Sequence, residues 1–204
     1  MSTPNLVIEL QYLPSTAYFA HILKADKVLI EAHENYQKQS HRNRCYILTA
    51  NKIDLLTIPV LNAKGEKSPI QEVQIEYIQK WQNRHWRAIE SAYKQAPFFE
   101  HYADYFKNEI YANEHSLFQL NWRLLKTCLM ILGIKTEITL TNTYEKEYEK
   151  SLFSDLRGEI SYKSPHFQDF KPYYQVFGDK FHENLSIIDL IFSEGPNSTS
   201  FLKN

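Results

Sequence analysis

The densest run of chemically capable side chains in this sequence lies between residues 31 and 44. Glu31, His33, Glu34, Asn35, Tyr36, Gln37 and Lys38 lead into His41-Arg42-Asn43-Arg44. Guanidinium groups suit phosphate or carboxylate, and amides suit hydroxyls, so this composition fits an anionic, hydroxyl-rich ligand. The chain has only six arginines, and two of them flank one Asn just before a strand-like run. Side chains at i and i+2 of an extended segment point the same way. Arg42 and Arg44 are thus expected to hold one anion and to contribute little to folding. The alternative is an ordinary ion pair with Glu31 or Glu34.

Two further polar residues stand in apolar surroundings. His85 shares a helical face with Trp81, Ile89 and Ala92. It is either a core histidine bonded to a backbone carbonyl or a general base facing a pocket shared with the arginines. Asp189 lies in Asn184-Leu185-Ser186-Ile187-Ile188-Asp189, where it either completes a capping pair with Ser186 or reaches one of the arginines. His41 and Cys45 are four apart but enter a strand, so they do not share a helical face, and no metal is expected. Neither Cys45 nor Cys128 precedes a helix N-terminus that would activate it, and both read as reduced thiols. The five glycines are scattered, which excludes a P-loop and a dinucleotide fingerprint. A formal charge of −1 with no basic stripe argues against nucleic acid. No apolar run is long enough for a membrane span, and no secretory leader is visible.

These residues need elements to position them. Leu6–Leu10 and Val28–Ile30 read as buried strands, with a helix opening at Pro14-Ser15 between them. That makes a βαβ unit with parallel strands, and ligands bind beyond the carboxyl ends of such strands. Gln11, Tyr12 and the 31–44 cluster occupy that position. Residues 45–48 and 54–60 read as a hairpin, 62–69 as a polar loop and 73–75 as a short strand. Helices are expected from Trp81 to before Pro97, around Phe99–Phe106, and from an Asn113 N-cap to Gly133. A strand at 138–140, an irregular stretch with a short helix over 142–171, and a terminal helix over 181–192 complete a single α/β domain spanning 1–204.

The sequence resembles the WbqC-like family, in a form without its N-terminal His-Gln-Pro triplet. The match is carried by Tyr12-Leu13-Pro14, Tyr18-Phe19, Glu31, Asn35-Tyr36-Gln37-Lys38 and Arg42-Asn43-Arg44. It continues through Ile58-Pro59-Val60, Trp81 with His85, Tyr93 with Pro97-Phe98-Phe99, Leu132-Gly133-Ile134 and Asn184–Leu190. Where the triplet would stand the chain reads Ile8-Glu9-Leu10-Gln11, so any role of that histidine passes to His33, His41 or His85 or is lost. The resemblance implies surface-polysaccharide (O-antigen-type) biosynthesis and transfer of an acyl or aminoacyl group to a nucleotide-linked sugar. Joined to the residue reading, it implies a cytoplasmic enzyme on an activated sugar or similar anionic metabolite. Arg42 and Arg44 would hold phosphate, Asn43 and Gln37 would orient hydroxyls, and His85 or Glu31 would be the base. Tyr12, Tyr36, Lys38, Trp81 and Asp189 complete the expected binding set. No cofactor is expected, and a homo-oligomer is left open. The alternative is a non-catalytic sugar-nucleotide-binding or scaffold protein.

Overall fold

The computed structural model describes residues 4–61, 68–162 and 171–203. The chain lays down β1 (Asn5–Glu9), α1 (Thr16–Lys24) and β2 (Lys27–Glu31), then the hairpin β3 (Arg44–Leu48) and β4 (Ile53–Thr57). Two short strands follow, β5 (Val60–Leu61) and β6 (Gln74–Ile75), and then three helices, α2 (Trp81–Tyr93), α3 (Phe99–Tyr111) and α4 (Leu117–Leu132). β7 (Glu137–Leu140), β8 (Phe153–Asp155), α5 (Ile187–Glu194) and α6 (Ser198–Leu202) complete it. The protein is α/β, with the expected parallel pair at its centre.

β1 and β2 run parallel, with Leu6 beside Val28 and Glu9 beside Glu31. β7 joins the outer side of β2 and β8 that of β1, both parallel, in the order β7-β2-β1-β8. Leu6, Val7 and Ile8 of β1 are all buried, as a parallel strand covered on both faces requires. The β3–β4 hairpin lies apart from this sheet and packs on α2, where the Leu48 amide donates to the Tyr93 hydroxyl at 3.2 Å. Trp81, His85, Ile89 and Ala92 form the buried face of α2, and α5 packs with Phe192 against Tyr93, Phe99 and Phe106.

Three details differ from the sequence reading, and a fourth is outside the described residues. The N-cap of α4 is Ser116, whose hydroxyl accepts from the Gln119 amide, while Asn113 sits three residues earlier at φ +55°. α5 begins at Ile187, so residues 181–186 are not helical. The described part of 142–171 holds no helix and instead supplies β8. Most of the polar loop placed at 62–69 lies outside the described residues. One backbone position tolerates only glycine. Gly195 has φ +53°, and a Cβ there would come within 2.5 Å of the Phe98 ring.

Candidate functional site

The carboxyl edge of the parallel sheet is a cluster of fixed charges. β1 ends on Glu9, β2 on Glu31 and β8 on Asp155, and the segment after β2 brings in Glu34. Glu9, Glu31 and Glu34 are buried, at 1%, 0% and 6% exposure. Carboxylates are almost never buried without partners, and each has some. Glu9 accepts from the Gln11 side-chain amide at 2.8 Å and from the Gly158 backbone amide at 2.9 Å. Glu31 accepts from the His33 amide, the Thr141 hydroxyl and Arg157 Nη1, all within 2.9 Å. Glu34 is gripped by Arg42 through Nε at 2.7 Å and Nη2 at 2.5 Å. Burial pushes the Glu34 carboxyl above its usual range, and the Arg42 guanidinium opposes this.

Arg157 organises the other side of the edge. Its Nε and Nη2 donate to Asp155, while Nη1 reaches both Glu31 and the Glu145 carbonyl. The guanidinium lies 5.0 Å from the ring centres of both Tyr144 and Tyr148. One side chain thus ties the segment between β7 and β8 to the end of β2. Burial alone would raise the Asp155 carboxyl, but the hydrogen bonds from Arg157 carry it below its ordinary value.

Two cavities open on this edge. The larger, about 680 Å³, is lined by Glu34, Asn35, Arg42, Lys146, Asp155 and Arg157 among others. The smaller, about 420 Å³, is lined by Glu9, Lys38, His41, Arg44, Tyr46 and Tyr162 among others. Gln37 and Arg42 line both. In the smaller cavity Tyr46 and Tyr162 stack at 4.1 Å between ring centres. His41 Nε2 accepts from the Tyr162 amide at 3.0 Å, so its proton sits on Nδ1, which finds no acceptor among the described residues. Burial lowers the His41 pKa, which keeps the ring neutral near pH 7.

The residues expected from sequence divide into four places. Gln37, Lys38, Arg42 and Arg44 are on the cleft walls. Glu31 lies behind that wall, fully buried and saturated by its donors. Asn43 and Tyr36 frame the loop: Asn43 Nδ2 donates to the Ile58 carbonyl, and the Tyr36 amide donates to the Ser68 carbonyl. The fourth place is the core. His85 Nε2 must donate to the Thr57 carbonyl at 3.1 Å, so Nδ1 accepts from the Tyr12 hydroxyl at 2.9 Å. Trp81 packs edge-on against both rings, and all three side chains are 0% exposed. Burial takes the His85 pKa down to about 4. His85 therefore does not face the cavity of the arginines; it is the bonded core histidine. Asp189 is also buried, and its Oδ2 accepts from Tyr173 and Gln175, not from an arginine.

A second correction concerns Arg42. It is 1% exposed, and the carboxylate eight residues before it claims its guanidinium. Its carbonyl also accepts from the Asn121 amide at 2.7 Å. Arg42 and Arg44 do not act as matched grips. Arg44 is half-buried, and its Nε has no partner among the described residues. The thiols of Cys45 and Cys128 are buried and pushed up by burial, so neither is poised as a nucleophile.

Sequence reasoning missed Glu9 and Arg157 as site residues. Glu9 carried a signal, because each of two apolar runs, Val7-Ile8 and Leu29-Ile30, ends on Glu. Arg157 carried none, lying in a polar stretch with no periodicity.

Among the described residues no helix is long and apolar enough to cross a membrane. No solved structure matches the chain. The "Uncharacterized protein Rv1507c" of Mycobacterium tuberculosis is 27% identical over 227 aligned positions, covering 97% of this chain and 96% of its own. The model of the WbqC-like protein family matches residues 11–162 and 148–201. Those spans contain β2, the 31–44 cluster, Arg157 and the helical core, and the chain belongs to the WbqC-like protein family.

Proposed function

We propose that this protein is a transferase acting on an activated sugar or a closely related anionic metabolite, in the making of a surface polysaccharide. The observation that carries the reading is the cleft at the carboxyl edge of a parallel sheet, where fixed carboxylates, amides and guanidinium groups converge. Ligands bind at this edge in open parallel sheets. The mixture of Glu, Asp, Asn and Gln acceptors with Lys146 and Arg157 suits the hydroxyls and charge of a sugar ester, and 680 Å³ accommodates one. Glu9 is the group best placed to take a proton. It lines the smaller cavity, and its two direct donors are neutral amides and not cations.

The test has two stages. A thermal-shift panel of nucleotide sugars identifies a ligand, since one present at 100 times its Kd stabilises by about 2.7 kcal/mol. Glu9→Gln is then assayed for transfer with that ligand and with acyl donors. The expected result is intact ligand binding with turnover lowered at least a hundredfold, the usual scale for loss of a general base. A panel with no stabilising nucleotide sugar removes the reading. Unchanged turnover in Glu9→Gln removes Glu9 as the base.

A further inference from the structure

We infer that the smaller cavity is a separate oxyanion subsite, built to hold the phosphate or carboxylate of a second molecule beside the sugar of the larger cavity. The inference rests on the transferase reading above only for the identity of that neighbour. It starts from a difference in charge between the two cavities. The larger has Glu34, Asp155 and Glu159 on its walls against Arg42, Lys146 and Arg157. Both arginines are already bound, Arg42 to Glu34 and Arg157 to Asp155 and Glu31. On the smaller cavity Glu9 is the only carboxylate among the described lining residues, and it shares the walls with Lys38 and Arg44 as well as with the Arg42 that Glu34 already holds.

Two cations on those walls, Lys38 and Arg44, have no ion-pair partner among the described residues. An oxyanion between Arg44 and Lys38 supplies acceptors for a fork of N–H groups, and Arg geometry matches both phosphate and carboxylate. The wall between the cavities is the Arg42–Glu34 pair with Gln37. Arg42 Nη1 lies 3.4 Å from Gln37 Oε1, and both side chains line both spaces. Two ligands held on either side of such a wall would be adjacent, as group transfer between them needs.

The experiment measures binding of inorganic phosphate and, separately, of acetate by calorimetry at low ionic strength. The proteins are the parent, Arg44→Ala, Lys38→Ala and Lys94→Ala. Phosphate or acetate should bind the parent, and the one that binds names the source. Arg44→Ala should weaken that binding at least tenfold and Lys38→Ala severalfold, while Lys94→Ala, exposed at the end of α2 and on neither cavity, leaves it unchanged. Lys38 is exposed, so that variant reports even if Arg44→Ala fails to fold. Binding of neither anion, or binding unaltered in Arg44→Ala and Lys38→Ala, overturns the subsite. Anion binding that follows Arg44 and Lys38 while no nucleotide sugar binds keeps the subsite and removes the transferase reading. The reverse pattern removes the subsite and leaves the transferase reading intact.

Discussion

Replacing Arg42 by Ala should unfold this protein far more readily than replacing Arg44, two residues on. Arg42 is 1% exposed and Glu34 6%, and the two are joined by two short hydrogen bonds. Removing one partner of a buried ion pair leaves the other uncompensated, which costs about 3–5 kcal/mol. In a chain of 204 residues each kcal/mol moves the melting temperature by about 2–4 °C. Arg42→Ala should thus melt about 6–20 °C below the parent. Arg44 is half-buried without an ion-pair partner among the described residues, and its loss should cost under about 0.5 kcal/mol. The deficit of Arg42→Ala has a pH signature. Burial already raises the Glu34 carboxyl, and without Arg42 it rises further. A carboxyl with a raised pKa in the folded state binds its proton more tightly there than when unfolded. Acid therefore favours the folded form of the variant, and its deficit should shrink as pH falls from 7 toward 5. The double variant Arg42→Met/Glu34→Leu removes the orphaned charge and should recover most of the loss. Thermal and urea unfolding of the four proteins at several pH values decides this. If Arg42→Ala melts within about 2 °C of the parent, Arg42 and Glu34 are not the buried, mutually dependent pair described above.

Three further outcomes follow from the same geometry. His85 titrates near 6.5 unfolded and about 4 folded, so the unfolded chain takes up its proton first as pH falls. Between those values the parent should lose up to about 3 kcal/mol to this residue, a slope absent from His85→Gln in urea unfolding; an equal slope in both proteins would falsify the core assignment. Arg157→Lys cannot bond Asp155, Glu31 and the Glu145 carbonyl together while lying between two tyrosines. Hydrogen exchange should then speed up across residues 141–152 and stay unchanged in α2–α4. Gly195→Ala forces a methyl into the Phe98 ring and should cost about 1–3 kcal/mol in thermal unfolding. Trimming that ring in Gly195→Ala/Phe98→Leu should then cost less than the two single losses added.

The parallel pair was legible because its strands are short continuous apolar runs, which only a strand buried on both faces requires. The three central helices were legible from their apolar spacing, and Gly133 marked a true end, at φ +64°. β8 was not legible. It is Phe153-Ser154-Asp155, too short for any period, and its pairing partner is the free edge of β1 some 150 positions earlier. The position of Arg42 and Arg44 near a cleft could be read from the chain, but their roles could not. Spacing says where a side chain starts, and the carboxylate that captures Arg42 is brought to it by the fold of residues 34–42. The choice for His85 likewise turned on Tyr12, a residue 73 positions away.

That capture also explains why the edge of the sheet is better read as a site than as a brace for the fold. A buried ion pair contributes little net stability, because desolvation offsets the attraction, and apolar replacements often hold a fold as well. Stability alone therefore gives no reason for Glu9, Glu31, Glu34, Arg42 and Arg157 to gather at one end of an otherwise apolar sheet. The charges have a geometric consequence instead. Glu31 and Arg157 hold the segment after β7, Glu34 and Arg42 hold the segment after β2, and Glu9 holds the amide of Gly158. Each bond fixes a wall of one cavity or the other. Among the cations of that frame, Lys38 and Arg44 have no ion-pair partner among the described residues, and both line the smaller cavity. The subsite proposed above makes a ligand oxyanion the partner of these two cations, in a space of about 420 Å³.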